Sequence, residues 1–176
     1  MRNTLLVPML AALVHAAPAQ EPAATANGST EALFQRGTKA YNSGQYAQAI
    51  DLFSEVLERE PEHLNAYLQR GFCHSLRKEY EAAVADFSAV IQRKPEHLWA
   101  YTSRGSAYGK WGRQEQAIQD FDKVLALDPH DQEAYNNRGW ARKALGNQAG
   151  ACKDWRASRK LGNAEAKIIL LNNRCK

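Results

Sequence analysis

The sequence predicts an all-α, right-handed solenoid of four helix pairs, with one further helix closing its C-terminal end. Three observations predict it. Arg-Gly recurs at Arg36-Gly37, Arg70-Gly71, Arg104-Gly105 and Arg138-Gly139, each step being 34 residues. Other residues keep the same phase: Leu33, Tyr67, Tyr101 and Tyr135 before the glycines; Ala49, Ala83, Ala117 and Ala151 after them; then Phe53, Phe87, Phe121 and Trp155. Pro61, Pro95 and Pro129 punctuate three of the copies. Self-similarity at such a period means stacked supersecondary units, none of which buries its apolar face alone.

Residues 1–19 read as a cleavable leader. Arg2 supplies a positive start, Leu5 to Val14 an apolar run, and Ala17-Pro18-Ala19 an A-x-A cleavage pattern, with Gln20 as the expected new N-terminus. The run is too short for a membrane span of about 20 residues, and no later segment is apolar enough. The mature chain is therefore expected to be secreted or periplasmic. Residues 20–29 hold Pro, Gly, Ser and small residues and read as a flexible linker. Asn27-Gly28-Ser29 matches a glycosylation acceptor, which matters only in a eukaryotic secretory route.

The units then run 30–63, 64–97, 98–131 and 132–162, followed by a capping segment, 163–176. Helices are expected at about 31–43, 47–59, 64–77, 81–93, 98–111, 115–127, 132–145 and 148–160, with a last one at about 163–174. Glycine inside a helix costs about 1 kcal/mol against alanine. Its recurrence at one phase implies a close helix crossing that admits no side chain. The alanines mark the facing helix, and the Phe and Trp residues are expected to fill the space between pairs. The prolines end each second helix. Ser43-Gly44, Lys78-Glu79, Trp111-Gly112 and Leu145-Gly146 mark turns inside the pairs. The last helix is expected to present Ala164, Ile168, Leu171 and Cys175 to the stack.

The chain has 176 residues, 24% charged and 44% apolar, with a formal net charge of +4. That excludes a disordered or fibrous chain and is too small to imply nucleic acid. Asp86, Asp120 and Asp154 precede the packing aromatics of three units, where the first unit has Leu52. They are expected to pair with Arg70, Arg104 and Arg138, either within a unit or across the junction between units. The alternative is an arginine ladder open to anions. The C-terminal end is basic: Lys153, Arg156, Arg159, Lys160, Lys167, Arg174 and Lys176 outnumber Asp154 and Glu165. A solvated end face explains this most simply; an anionic surface or acidic partner is the sharper reading.

Cys152 lies in the last pair's second helix and Cys175 in the capping segment, so an antiparallel hairpin about Gly162 would bring them together as a disulfide. Cys73, beside Gly71, reads as a small buried residue. His63, His97 and His130 fall in successive inter-unit loops. Equivalent sites in stacked units stand about 10 Å apart, too far to share a metal, so capping or closing turns is the expected role. His74 is expected to be structural. No phosphate loop, nucleophile elbow or zinc-protease pattern occurs, and neither cofactor, metal nor catalysis is expected.

The 34-residue phase with its Gly, Ala, aromatic and Pro positions resembles the tetratricopeptide repeat family, from Thr30 to about Gly162. The resemblance implies helix-turn-helix units whose first helices line a concave groove. Its residues here would be Phe34, Thr38 and Tyr41; Leu68, Phe72 and Ser75; Thr102, Ser106 and Gly109; Asn136, Trp140 and Lys143, with Trp99 at the edge. Members that clamp a terminal carboxylate use groove lysines and asparagines. The matching sites here carry Phe34, Thr38, Gln69, Trp99 and Ser103, so that clamp is absent. An extended or helical peptide along an aromatic groove is the expected partner. Two alternatives stay open: self-assembly into an oligomer through the capping helix or an exposed edge, and a small-ligand site or enzyme whose groups come from distant positions.

Overall fold

The computed structural model describes residues 28–175. The leader, its cleavage after Ala19, most of the linker and Asn27 lie outside the described residues. Among the described residues nine helices follow one another: α1 (Thr30–Asn42), α2 (Tyr46–Arg59), α3 (Leu64–Leu76), α4 (Tyr80–Arg93), α5 (Leu98–Lys110), α6 (Gln114–Leu127), α7 (Gln132–Ala144), α8 (Gln148–Lys160) and α9 (Ala166–Asn172). Each packs on the next in sequence. The first helices α1, α3, α5 and α7 also touch one another across the units, whereas no two second helices approach as closely among the described residues. The stack therefore curves with the first helices on its inner side.

The repeat glycines are explained by what lies over them. A Cβ on Gly37 would stand 2.7 Å from the Phe53 ring, on Gly71 2.8 Å from Phe87, and on Gly139 2.5 Å from Trp155 Nε1. One edge of the aromatic of each second helix thus lies against the glycine of its own unit. There the rings seal the hairpin itself, because the bare glycine backbone is the only surface that admits a ring so close. The rings also fill the space between units, as expected: Phe53 shares a buried cluster with Ala66 and Cys73, Phe87 with Ala107, and Phe121 with Ala134 and Ala141. Phe53, Phe87, Phe121 and Trp155 are all fully or almost fully buried, with Ala49, Ala83, Ala117 and Ala151 one helical turn before them.

Each first helix is capped by the residue three before an alanine, and in all but the first helix that alanine is buried. Ser29 Oγ accepts from Ala32 N, His63 Nδ1 from Ala66 N, His97 Nδ1 from Ala100 N and Asp131 Oδ1 from Ala134 N, at 2.8–3.2 Å. His63 and His97 do cap helices; His130 does not, because in that junction Asp131 holds the capping phase. The hairpin turns repeat as well. Gly44, Gly112 and Gly146 have φ of 74°, 82° and 79°, and the same position in the second unit is Lys78 at φ 63°. A side chain in this left-handed region meets the following carbonyl, a strain glycine escapes. Lys78→Gly should therefore stabilise the protein by about 0.5–1 kcal/mol, read as a higher urea midpoint at unchanged slope.

The last helix is shorter than expected and turned differently. Asn163 Oδ1 accepts from the amides of Glu165 (3.0 Å) and Ala166 (3.3 Å) and delays the helix to Ala166. Ala166 and Leu170 are buried against α8, with Ile169 and Cys175 packed alongside Trp155. Ala164, Ile168 and Leu171 do not face the stack; Ile168 and Leu171 are 61% and 71% exposed. Asn163 stands to Ala166 as His63 stands to Ala66, so α9 keeps the register of a first helix after a loop two residues shorter. Leu171 then falls where the other units have glycine, and among the described residues no second helix lies over it.

Cys152 and Cys175 form a disulfide, with Cα atoms 5.5 Å apart, tying α9 to α8. Cys73 is a free, buried thiol. It occupies the phase of the buried Ala107 and Ala141, and burial pushes its pKa up to about 11. It is a packing residue, as expected.

Candidate functional site

The arginine–aspartate ladder decides what the inner face can offer. Arg70 Nε and Nη2 donate to Asp86 at 2.9 and 2.7 Å, Arg104 to Asp120 at 2.9 and 2.7 Å, and Arg138 to Asp154 at 3.0 and 2.7 Å. Each guanidinium's remaining nitrogen, Nη1, reaches back to the preceding unit: to Ser54 Oγ (3.0 Å), Ser88 Oγ (2.9 Å) and Asp122 Oδ1 (2.5 Å). Pairing is thus both within units and across junctions. Tyr67, Tyr101 and Tyr135 lie under the same guanidinium groups, 5.3–5.7 Å from ring centroid to carbon. These three arginines are spent internally, and an anion-binding ladder built on them is excluded. Arg142 Nη1 adds a further contact to Asp154 at 2.8 Å. Leu52, standing where the aspartate would be, leaves the first unit's Arg36 on the surface.

His74 Nδ1 lies 2.7 Å from Glu79 Oε2, bridging the turn of the second unit. The His74 contact and that of Arg77 hold the Glu79 carboxyl below its ordinary value. His74 is structural, as expected.

The inner face holds a concave cavity of about 540 Å³ between α3, α5 and the start of α7, reached also by α1. Tyr41, Phe72, Ser75, Trp99, Thr102 and Ser106 of the expected groove line it. A smaller hollow of about 270 Å³ continues from Ser106 and Lys110 to Gly109 and Trp140. Several of the expected residues are engaged within the protein, some of them while lining these hollows. Phe34 packs on Phe53 and His63, with ring centroids 5.5 and 4.9 Å away. Thr38 Oγ1 donates to the Phe34 carbonyl and Thr102 Oγ1 to that of Leu98. Leu68 packs with the buried cluster of Ala83, Phe87 and Ala107. Trp140 stands edge-on to Trp155 at 5.0 Å and carries the Lys143 ammonium 5.1 Å above its ring. Lys143 also donates to Asn173 Oδ1 of the cap segment. The Asn136 carbonyl accepts from Trp155 Nε1, and its side-chain Oδ1 is buried without a partner.

Phe72 likewise rests on Phe87, 5.4 Å between centroids, so its ring is half core and half groove. Trp99 is the most exposed of these aromatics at 71%. The cavity also takes Ser103, one of the sites matching the absent clamp, and residues that sequence reasoning missed: Leu76 and Lys110, and the acids Asp128, Asp131 and Glu133 from the α6–α7 junction. One signal was available for the last of these, since Glu133 is Trp99 moved on by one 34-residue step.

A curved stack of helix hairpins with an open, lined inner face is the architecture of a protein-interaction scaffold. The chain belongs to the tetratricopeptide repeat family: family models described as tetratricopeptide repeat match residues 34–97 and 98–131. The fold is similar to that of MamA from Desulfovibrio magneticus RS-1, with 26% identity over 78% of this chain and 77% of that one, at a TM-score of 0.74. A further crystal structure of MamA matches at 22% identity over 79% and 81%, with a TM-score of 0.73, and MamA from MSR-1 at 18% over 76% of each chain, with a TM-score of 0.70. No curated protein matches by sequence. Among the described residues no helix is long and apolar enough to cross a membrane. The chain is thus a protein-interaction module of the repeat class.

Proposed function

We propose that this chain is an extracytoplasmic adaptor that holds a peptide segment of a partner protein in its inner groove. The carrying observation is the cavity to which all four first helices contribute, with Phe72 and Trp99 on its walls and hydroxyls of Ser75, Thr102 and Ser106 between them. Aromatic walls supply contact area at small entropic cost, and small hydroxyl residues leave room for a backbone. Export is supported by the leader-like sequence and by the Cys152–Cys175 disulfide, a bond that persists in oxidising compartments.

The test is capture of partners from native envelope or medium by the mature chain, compared with Phe72→Ala, Trp99→Ala and Trp140→Ala. Trp99→Ala, at an exposed position, should leave helicity and melting unchanged and lower affinity about tenfold or more, as loss of a groove anchor does. Unchanged capture by all three variants would place binding elsewhere. Exposed Ile168 and Leu171 on α9 favour one second reading, association of copies through the end of the stack. Light scattering of the mature chain tests it, and a strict monomer across concentrations excludes it.

A further inference from the structure

The groove is chemically lopsided, and the lopsidedness selects its occupant. Trp99 leaves its indole open to solvent at one mouth of the cavity. Glu133 occupies the same position on the neighbouring first helix, and Asp131 and Asp128 line the same mouth. Asp131 uses Oδ1 to cap α7 and Asp128 uses Oδ1 on the His130 amide, while Glu133 has no hydrogen bond or ion pair among the described residues. Acids at the start of α7 suit its macrodipole, but that accounts neither for the bare indole beside them nor for Asp128 in the preceding loop. The one cationic residue lining the cavity, Lys110, sits at the far end of α5. Eleven residues of helix separate it from Trp99, about 16 Å, too far to neutralise the acids.

Resting on the groove reading above, we propose that the bound segment carries a lysine or arginine next to an apolar side chain. The apolar side chain enters between Phe72 and Leu76. The cation lies over the Trp99 ring and faces the carboxylates of Asp131 and Glu133. Adjacent helices stand about 8–10 Å apart, and a cation within about 6 Å of an indole centroid is attracted by its face, so one charged head fits between ring and carboxylate.

The experiment selects binders from a random heptapeptide library on the immobilised mature chain. It compares wild type, Phe72→Ala, Leu76→Ser and the charge-neutral triple variant Asp128→Asn/Asp131→Asn/Glu133→Gln. Asn keeps the cap at position 131, so the triple variant should fold. Wild type should enrich Lys or Arg beside an aliphatic or aromatic residue. The selected peptides should bind the triple variant about tenfold more weakly and lose affinity in 0.5 M salt. Peptides that depend on Phe72 or Leu76 but show no basic preference overturn this proposal and leave the groove reading standing. Failure to select any peptide, or selection indifferent to Phe72 and Leu76, overturns the groove reading and this proposal with it.

Discussion

Arg104→Ala should lower stability by about 3–5 kcal/mol, the loss expected when a buried carboxylate keeps its charge but not its partner. Asp120 has a side chain only 6% exposed, held by two nitrogens of one guanidinium, and nothing else among the described residues neutralises it. Its pKa is raised above the ordinary carboxylate value by burial, with Arg104 opposing the shift. A carboxyl whose folded pKa exceeds its unfolded value favours folding only while protonated, so its contribution is lost as pH rises through the raised value. Removing Arg104 enlarges that shift, and the deficit should be largest at neutral pH and shrink as pH falls toward the ordinary carboxylate range. The double variant Arg104→Met/Asp120→Leu should lie within about 1 kcal/mol of wild type, because an apolar pair of similar volume leaves no charge stranded. Urea unfolding across pH measures both. A loss under 1 kcal/mol in the single variant would mean that the pair behaves as an exposed ion pair. Arg138→Ala should be milder, since Arg142 still contacts Asp154.

Breaking the Cys152–Cys175 bond should destabilise the C-terminal end by about 3 kcal/mol, the chain-entropy value for a loop of this size. The loss should be local. In a stack where each unit touches mainly its neighbours, stability is close to a sum of unit and interface terms. Hydrogen exchange of Cys152→Ser/Cys175→Ser should therefore show faster opening in α8 and α9 and unchanged protection in α3 and α4. Cys73 should take no part in disulfide exchange while the protein is folded, being buried and with its thiolate disfavoured. Uniform loss of protection along the chain would show that the solenoid unfolds as one unit.

The hairpin was legible in the sequence because its determinants are local and repeated. Glycine at one phase and an aromatic sixteen residues on meet within a single unit, so every copy states the same contact again. The caps were legible in part. His63 and His97 suggested turn closure, but the equivalence of Ser29, His63, His97 and Asp131 rests on function, an acceptor for the third amide, and not on residue type. The last helix misled because helical spacing alone does not say which apolar stripe is buried: Ala164, Ile168 and Leu171 share one face, but the start of the helix at Ala166 turns Ala166 and Leu170 to the stack.

The groove was half legible, for a physical reason. A first helix exposes the same positions in every unit, but what lies next to them comes from another unit. Phe34, Phe72 and Trp140 rest on the core aromatics of their own hairpins, while Trp99 has no such support and stays bare. Asp128 and Asp131 reach the cavity from an inter-unit loop.

The sequence by itself determined the hairpin, its length and the sites of close approach, since these follow from contacts between residues a fixed short distance apart. Only the tertiary structure decided how much each aromatic shows, that each arginine bridges two units at once, and that acids gather beside Trp99. Those properties depend on how successive hairpins lean on one another, and that angle is set by the sum of many contacts across each junction.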